Sequence, residues 1–205
     1  MKPKSMGFLE AAAIPTAGLT AWQMLFDIAG LKSGQTVLVH GAAGGVGSFA
    51  LQFAKWKGAH AIGTASSGNM QFLKSLGADE VIDYKALRFE DIVHDVDVVI
   101  DTIGGDTFDR SWGVLKPGGF LVTTVADVQE GAAEAHGVRA KRISHQANGG
   151  ELAQIAKIID EKFVKSVVTT VLPLSEARKA QELSESQHTR GKIVFRVAEE
   201  PQERP

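Results

Sequence analysis

The sequence predicts an α/β fold with a doubly wound, parallel sheet. Apolar runs of strand length alternate with amphipathic helical stretches along most of the chain, which is the pattern of a sheet covered by helices on both faces. The first of these runs, at 36–40, leads directly into the glycine cluster GAAGGVG, which opens a helix. A strand, a glycine turn and a helix in this order indicate a sheet of the Rossmann type, which holds a dinucleotide pyrophosphate.

A helical lead-in precedes the first strand. The run from Leu9 to Ala13 predicts a short helix that ends near Pro15, and Thr16 is expected to cap a second helix that runs to Ala29. Six strands should follow, at residues 36–40, 60–64, 80–82 and 96–100, within LKPGGFLVTT, and at 141–144. In the helix after the glycine cluster, Phe49 and Phe53 lie on an apolar face, so we interpret them as core residues.

Further elements are predicted beyond the sixth strand. They are a helix at 151–161, a strand at 167–172, a capped helix at 175–186 and a last strand at 193–197. We therefore divide the chain into a helical lead-in at 1–30, a dinucleotide-binding domain at 31–150, a C-terminal helix and strand segment at 151–197, and a disordered tail at 198–205.

Composition limits the classes of function. With 44% hydrophobic and 22% charged residues the chain is typical of a soluble globular protein, and its net charge of −2 gives no basic patch for nucleic acid. Because no apolar run is long enough to span a bilayer and no signal-peptide core is present, we expect a cytoplasmic protein that binds no membrane. The sequence has no cysteine, and its six histidines lack metal-ligand spacing, so no metal site is expected.

The glycine cluster can be aligned in three ways. Ala42-x-Gly44-x-x-Gly47 is the dinucleotide fingerprint with alanine first, in which Gly44 would make the tight turn and Gly47 would let the helix pack on the strand. Gly41-x-x-x-Gly45-x-Gly47 would suit a short-chain dehydrogenase, which needs a Tyr-x-x-x-Lys pair, but Tyr84 is the only tyrosine and Arg88 follows it four positions later. The alignment Gly45-x-Gly47-x-x-Ala50 begins too late after the strand. We adopt the first.

The end of the second strand indicates which nicotinamide cofactor is preferred. An acidic residue at this point would bind the ribose 2′-hydroxyl and repel a 2′-phosphate. The sequence here is GTASSGN, with Ser66, Ser67 and Asn69 where the acid would lie, so NADP is favoured over NAD. The same residues also suit a solvated turn that caps the next helix, and both interpretations can hold together.

Six motifs in this order resemble the cofactor-binding half of the medium-chain dehydrogenase/reductase superfamily, specifically its zinc-independent quinone oxidoreductase branch. They are AAAIPTAGLTAWQML, VLVHGAAGGVG, LGADEVIDY, DVVIDTIGG, LKPGGFLV and RGKIVFRV, and they cover nearly all of residues 8–197. The resemblance implies that the pyrophosphate lies over Ala43, Gly44, Gly45, Val46 and Gly47. It places the adenosine 2′-phosphate near Ser66, Ser67 and Tyr84, the adenosine side near Ile103, and the nicotinamide near Thr124, Val125 and His145.

One position departs from the branch. Some members carry a lysine soon after the second strand that meets the 2′-phosphate, and Met70 stands at that place here, which weakens the NADP preference. Lys74 is interpreted as a solvated surface lysine rather than a replacement.

The resemblance also implies a function for the whole protein. It implies an NADPH-dependent enzyme whose small-molecule substrate is a quinone or an α,β-unsaturated carbonyl (enone). It also implies a homodimer. Members carry a GroES-like substrate domain before the AAAIPTAGLTAW helix; with that domain absent, the chain alone is expected to lack activity and 167–197 to expose apolar surface. Two alternatives stay open: an isolated nucleotide-binding module without turnover, and a reductase domain of a larger assembly such as a polyketide synthase.

Overall fold

A computed structural model describes residues 2–186 and 189–198. Its centre is a six-stranded sheet in the order β3-β2-β1-β4-β5-β6, in which every neighbouring pair is parallel. The strands are β1 Thr36–Val39, β2 His60–Ala65, β3 Glu80–Asp83, β4 Val96–Asp101, β5 Leu115–Thr123 and β6 Arg139–Arg142. The predicted fold class is confirmed, and the largest shift of a predicted strand is that of β6, which lies two residues earlier than expected.

Eight α-helices are found among the described residues. They are α1 Phe8–Ala12, α2 Pro15–Trp22, α3 Gly45–Trp56, α4 Met70–Ser75, α5 Gly105–Ser111, α6 Ala132–Ala135, α7 Gly149–Asp160 and α8 Ala177–Glu185. The helices cover both faces of the sheet, which explains why all six residues of β4 are buried.

The second lead-in helix differs from the prediction. It begins at Pro15 rather than behind a Thr16 cap, since proline's fixed φ suits the first helical position. After Trp22 it widens into a π-helical segment, Gln23–Ile28, in which the Ala29 N–H donates to the Met24 carbonyl at 3.1 Å. The buried Gln23 amide exchanges hydrogen bonds with the Gln146 backbone. A local helix pattern does not reveal such a distant partner.

Two apolar cores lie on opposite faces of the sheet. The larger one joins the lead-in helices, α3 and α7, with Leu25, Phe49, Phe53 and Ile155 fully or almost fully buried. The core role predicted for the two phenylalanines is thereby confirmed. The smaller core lies under α5 and includes Trp112. Residues from 1–30 and 151–160 share the larger core with the sheet, and the division of the chain into four segments stays a prediction.

A second, two-stranded parallel sheet follows α7. Its strands are β7 Val168–Pro173 and β8 Lys192–Arg196, and α8 connects them. The predicted exposed apolar surface is confirmed here, since Leu174, Leu183, Phe195 and Val197 are all exposed, Val197 to 73%. Beyond Ala198 the predicted tail lies outside the described residues.

Candidate functional site

The turn after β1 brings the backbone back on itself at Gly41. This residue has a φ of +67°, and a Cβ here would lie 2.4 Å from the Thr102 hydroxyl oxygen. Gly44, for which the sequence predicts the tight turn, closes this turn by donating its N–H to the Gly41 carbonyl at 3.0 Å, while its own backbone is extended, with φ −77° and ψ −176°. The spacing of the glycines does not show that Gly41 is the residue with the left-handed backbone.

Gly44 is also the N-cap position of α3. No described side chain caps this helix, so the first-turn N–H groups of Gly45, Val46 and Gly47 have no partner within it. The positive end of the helix dipole coincides with these donors, and together they suit a phosphate. The packing role of Gly47 is confirmed, since a Cβ there would lie 2.2 Å from the Gly41 carbonyl oxygen.

The predicted cofactor residues follow the carboxyl ends of five neighbouring strands. Tyr84 follows β3, Ser66 and Ser67 follow β2, and the glycine turn follows β1 at the centre of the sheet. On the other side of the turn, Ile103 follows β4, and Thr124 with Val125 follows β5. The chain runs outward from β1 through β2 to β3 and then crosses back to β4 on the other side of β1, so the glycine turn occupies the topological switch point where open α/β sheets bind ligands.

The turn after β2 collects the residues predicted for the 2′-phosphate. Ala65 pairs with Asp83 across the sheet, and the Ala65 carbonyl accepts a hydrogen bond from the Tyr84 N–H at 3.2 Å. Ser67 is exposed, and the Tyr84 side chain is 52% exposed. Lys74 donates to the Asp79 carbonyl at the surface, which agrees with its interpretation as a surface lysine.

A cleft of about 490 Å³ opens beside the glycine turn at the ends of β5 and β6. It contains three of the predicted positions, Val46, Thr124 and His145. Sequence reasoning missed its other lining residues, which are Thr20, Arg142, Ile143 and Ser144.

Ile103 and Val125 are not among the residues that line this cleft. Ile103 lies against the glycine turn, where its Cδ1 would be 3.1 Å from a Cβ on Gly41, and Val125 lies against Gly104. Both side chains are about half exposed, Ile103 to 57% and Val125 to 48%. These two predicted residues thus lie after β4 and β5, two interior strands, at the carboxyl edge of the main sheet.

The C-terminal segment Arg190–Lys192 reaches both predicted phosphate sites. The Gly191 N–H donates to the Ala43 carbonyl at 2.8 Å, and Gly191 forms a β-bridge with Gly44. A Cβ on Gly45 would lie 2.4 Å from Cδ of Lys192, so this lysine stem covers the glycine turn. Local sequence gave no signal for this contact.

Arg190 extends to the turn after β2. Its Nε donates to Oδ1 of Asn69 at 2.8 Å and its Nη2 to the Gly68 carbonyl at 3.0 Å, while the guanidinium lies 4.7 Å from the centroid of the Phe72 ring. These bonds use two of the five N–H donors of the group. A cation therefore stands beside Ser66 and Ser67, where the sequence pattern showed only small polar residues.

His40 supports the glycine turn from below. Its Nδ1 lies 3.1 Å from the Thr64 hydroxyl and its Nε2 lies 3.1 Å from the Ser111 hydroxyl. Ser111 donates its own proton to the Thr107 carbonyl, so Nε2 carries the ring proton and Nδ1 accepts from Thr64. Burial lowers the pKa of His40 to about 4, with Asp101 opposing the shift. This histidine is therefore a neutral core residue at physiological pH.

Within residues 2–186 and 189–198, no three His, Cys, Asp or Glu side chains are grouped so that they could hold a metal ion. The same described residues contain no helix long and apolar enough to cross a membrane.

A family described as zinc-binding dehydrogenase matches residues 76–195, which is more than half of the chain. The chain belongs to this family, within the medium-chain dehydrogenase/reductase superfamily. The resemblance drawn from the six motifs is thus confirmed at the level of the superfamily. The family's name refers to zinc, and the donor side chains among residues 2–186 and 189–198 do not fit that ion.

Individual relatives support this placement. The chain is 34% identical to a probable zinc-binding oxidoreductase, mitochondrial, of Arthroderma benhamiae, covering 96% of the chain and 64% of that protein. It is 37% identical to 2-methylene-furan-3-one reductase of Solanum lycopersicum, covering 95% of the chain and 48% of that protein. The chain therefore spans about half to two thirds of the length of these curated relatives.

Solved structures agree with the fold. The quinone oxidoreductase from Coxiella burnetii superimposes with a TM-score of 0.86 at 41% identity, covering 97% of this chain and 63% of that one. The quinone oxidoreductase of Escherichia coli complexed with NADPH gives a TM-score of 0.87 at 30% identity, covering 96% of this chain and 68% of that one.

Proposed function

We propose that this chain is the NADP(H)-binding part of an NADPH-dependent oxidoreductase that reduces a quinone or an enone. The observation that carries the proposal is the uncapped N-terminus of α3, which rises from a glycine turn at the switch point of the sheet. Relatives named as a quinone oxidoreductase and a furanone reductase supply the reaction class. When bound, the nicotinamide supplies the hydride.

The residues of this chain would bind and orient the dinucleotide. Backbone N–H groups of Gly45, Val46 and Gly47 would hold the pyrophosphate, with the Lys192 side chain adding positive charge above them. Thr124 and His145 line the cleft in which the nicotinamide would lie, so they would form the cofactor wall of the substrate pocket. The opposite wall would come from a GroES-like domain, and the proposed reaction needs no metal ion from this chain.

The preference for NADP(H) is supported by Arg190. No acidic residue follows β2, so nothing in the turn would repel a 2′-phosphate, and the Arg190 guanidinium lies on the Asn69 end of the same turn. An arginine binds phosphate through several N–H donors, which compensates for Met70 in the place of the family's lysine.

Calorimetric titration of the 205-residue chain with NADPH, NADP and NADH tests both parts of the proposal. We expect NADPH to bind at least about tenfold more tightly than NADH, and R190Q to remove most of that ratio while leaving NADH affinity unchanged. The matched control is R178Q, because Arg178 is an exposed arginine on α8 that forms an ion pair with Glu182 on the same helix. Equal binding of NADPH and NADH would contradict the NADP preference, and failure to bind any of the three would contradict the dinucleotide site itself.

A second candidate is a nucleotide-binding module without turnover. It is favoured by the exposed apolar side chains of β7, β8 and α8, and by the chain's coverage of only 48–64% of its relatives. Following NADPH absorbance with a panel of quinones and enones separates the two. Binding without oxidation would support the module, whereas oxidation by the chain alone would contradict the proposal that a further domain is needed.

Two predictions about the protein's surroundings stay open to test. A homodimer through β6 would place Arg139, Lys141 and Arg142 opposite the same cations of a second copy, which like-charge repulsion disfavours. Light scattering of the purified chain measures the oligomeric state.

A cytoplasmic location also stays a prediction, since relatives include proteins named as mitochondrial.

A further inference from the structure

A buried carboxylate ends β4 directly beneath the predicted cofactor edge. Asp101 is fully buried, and its Oδ1 accepts the backbone N–H groups of Ile103 and Gly104, each at 3.0 Å. Its Oδ2 accepts the hydroxyl proton of Thr123 at 2.8 Å. Among the described residues no cation forms an ion pair with it. A buried charge without a counter-ion is costly, so its three hydrogen bonds require an explanation.

Thr123 extends this arrangement to the next loop. The residue is fully buried at the end of β5, and its Oγ1 accepts the N–H groups of Val125 at 3.2 Å and Ala126 at 3.1 Å. The Thr124 N–H in turn donates to the Asp101 carbonyl at 3.2 Å. The two side chains therefore fix the loop that contains Ile103 to the loop that contains Thr124 and Val125.

Only a carboxylate satisfies every donor in this pair. All groups that face the Asp101 oxygens are donors, so an asparagine would direct its NH₂ either at two backbone N–H groups or at the Thr123 hydroxyl. Thr123 already accepts two N–H bonds, and it would then lose its own acceptor. The negative charge of Asp101 therefore serves to accept these three hydrogen bonds rather than to form an ion pair.

We propose that Asp101 and Thr123 are positioning residues that set the separation between the adenosine-side loop at Ile103 and the nicotinamide-side loop at Thr124. The inference rests on the proposed function, because both loops are predicted to contact one dinucleotide. A ligand that spans both loops must find them at the correct separation, whereas a ligand that touches one loop does not. Affinity for the whole dinucleotide should thus depend on this pair, although neither side chain is exposed to contact it.

The test compares NADPH with 2′,5′-ADP, which contains only the adenosine half. In D101N and T123V we expect the Kd for NADPH to rise about tenfold, and the Kd for 2′,5′-ADP to change less than about twofold. T123S keeps the hydroxyl and should bind NADPH like the unmodified chain. If D101N does not fold, T123V still tests the inference, because it removes the same hydrogen bond between Asp101 and Thr123.

D97N is the matched control for a purely structural effect. Asp97 is a buried carboxylate at the opposite end of β4 that also accepts a backbone N–H, so D97N should lower the melting temperature without changing the Kd for NADPH. Unchanged NADPH affinity in D101N and T123V would overturn the inference, as would an equal loss for NADPH and 2′,5′-ADP. If the unmodified chain bound neither ligand, the proposed function would fail instead.

Discussion

The two ends of β4 carry buried carboxylates with different surroundings. At the amino end, Asp97 forms an ion pair with Lys116 and accepts hydrogen bonds from the Gln35 amide at 2.8 Å and the Thr36 N–H at 2.9 Å. At the carboxyl end, Asp101 forms no ion pair with a cation of the part of the chain that the structure describes, and it accepts hydrogen bonds from the loops of the predicted cofactor edge. The comparison indicates that the amino edge of the sheet is built for stability, and the carboxyl edge for holding loops in place around a ligand.

The largest expected effect that would test this contrast is at Gly47, on the carboxyl edge. In G47A the added Cβ would lie 2.2 Å from the Gly41 carbonyl oxygen, so α3 must move away from β1 and the phosphate donors must move with it. We expect the Kd for NADPH to rise at least about 100-fold, or about 2.7 kcal/mol of binding free energy. Calorimetric titration measures this.

G113A is its control, because a Cβ on Gly113 meets nothing within 4 Å and Gly113 precedes the amino end of β5. If G47A bound NADPH as tightly as G113A, the close approach of α3 to β1 would not matter for binding.

The second effect concerns acid stability and His40. Because burial lowers its pKa to about 4, below the 6.5 of an unfolded histidine, its stabilising contribution is complete above pH 6.5 and is lost as the pH falls from 6.5 towards 4. The loss should approach roughly 3 kcal/mol of unfolding free energy. H40Q removes the titrating ring, so its unfolding free energy should change less with pH over this range.

Urea denaturation at pH 7, 5.5 and 4.5 provides the measurement for His40. The exposed His94 supplies the control, since H94Q should keep the pH dependence of the unmodified chain. A pH dependence in H40Q as steep as in H94Q would show that His40 does not carry the acid sensitivity.

The smallest effect is at the amino edge. Burial alone would raise the pKa of Asp97, but hydrogen bonds from Lys116, Thr36 and Gln35 outweigh it and hold this pKa below its usual range. The contribution of the carboxylate is therefore complete above about pH 3.8 and is lost as the pH falls below that value. D97N should lower the unfolding free energy at pH 7 by about 1–3 kcal/mol, and by less at pH 3.

Chemical denaturation of D97N at pH 7 and pH 3 measures this difference, with the exposed Asp109 in D109N as control. A D97N variant that kept full stability but lost NADPH affinity would reverse the contrast between the two edges.

Most of the fold was predictable because its signals are local. The alternation of apolar strands and amphipathic helices predicted all six strands of the main sheet, and the two phenylalanines of α3 were correctly interpreted as core. The π-helical segment at Gln23–Ile28 was not predictable, since its hydrogen-bond partner at Gln146 lies 123 positions away. The left-handed backbone at Gly41 was also missed, because the spacing of the glycines does not show which of them takes a positive φ.

The candidate site divides in the same way. The sequence by itself determined that a glycine turn leading into a helix follows β1 and that small polar residues follow β2, because both depend on residue types next to each other in the chain. Only the tertiary structure decided that Arg190 stands beside Asn69, 121 positions away, that Gly191 pairs with the glycine turn, and that Asp101 joins two loops. Parallel strands bring their carboxyl ends to one edge, so distant residues meet there through packing and hydrogen bonds that no local pattern records.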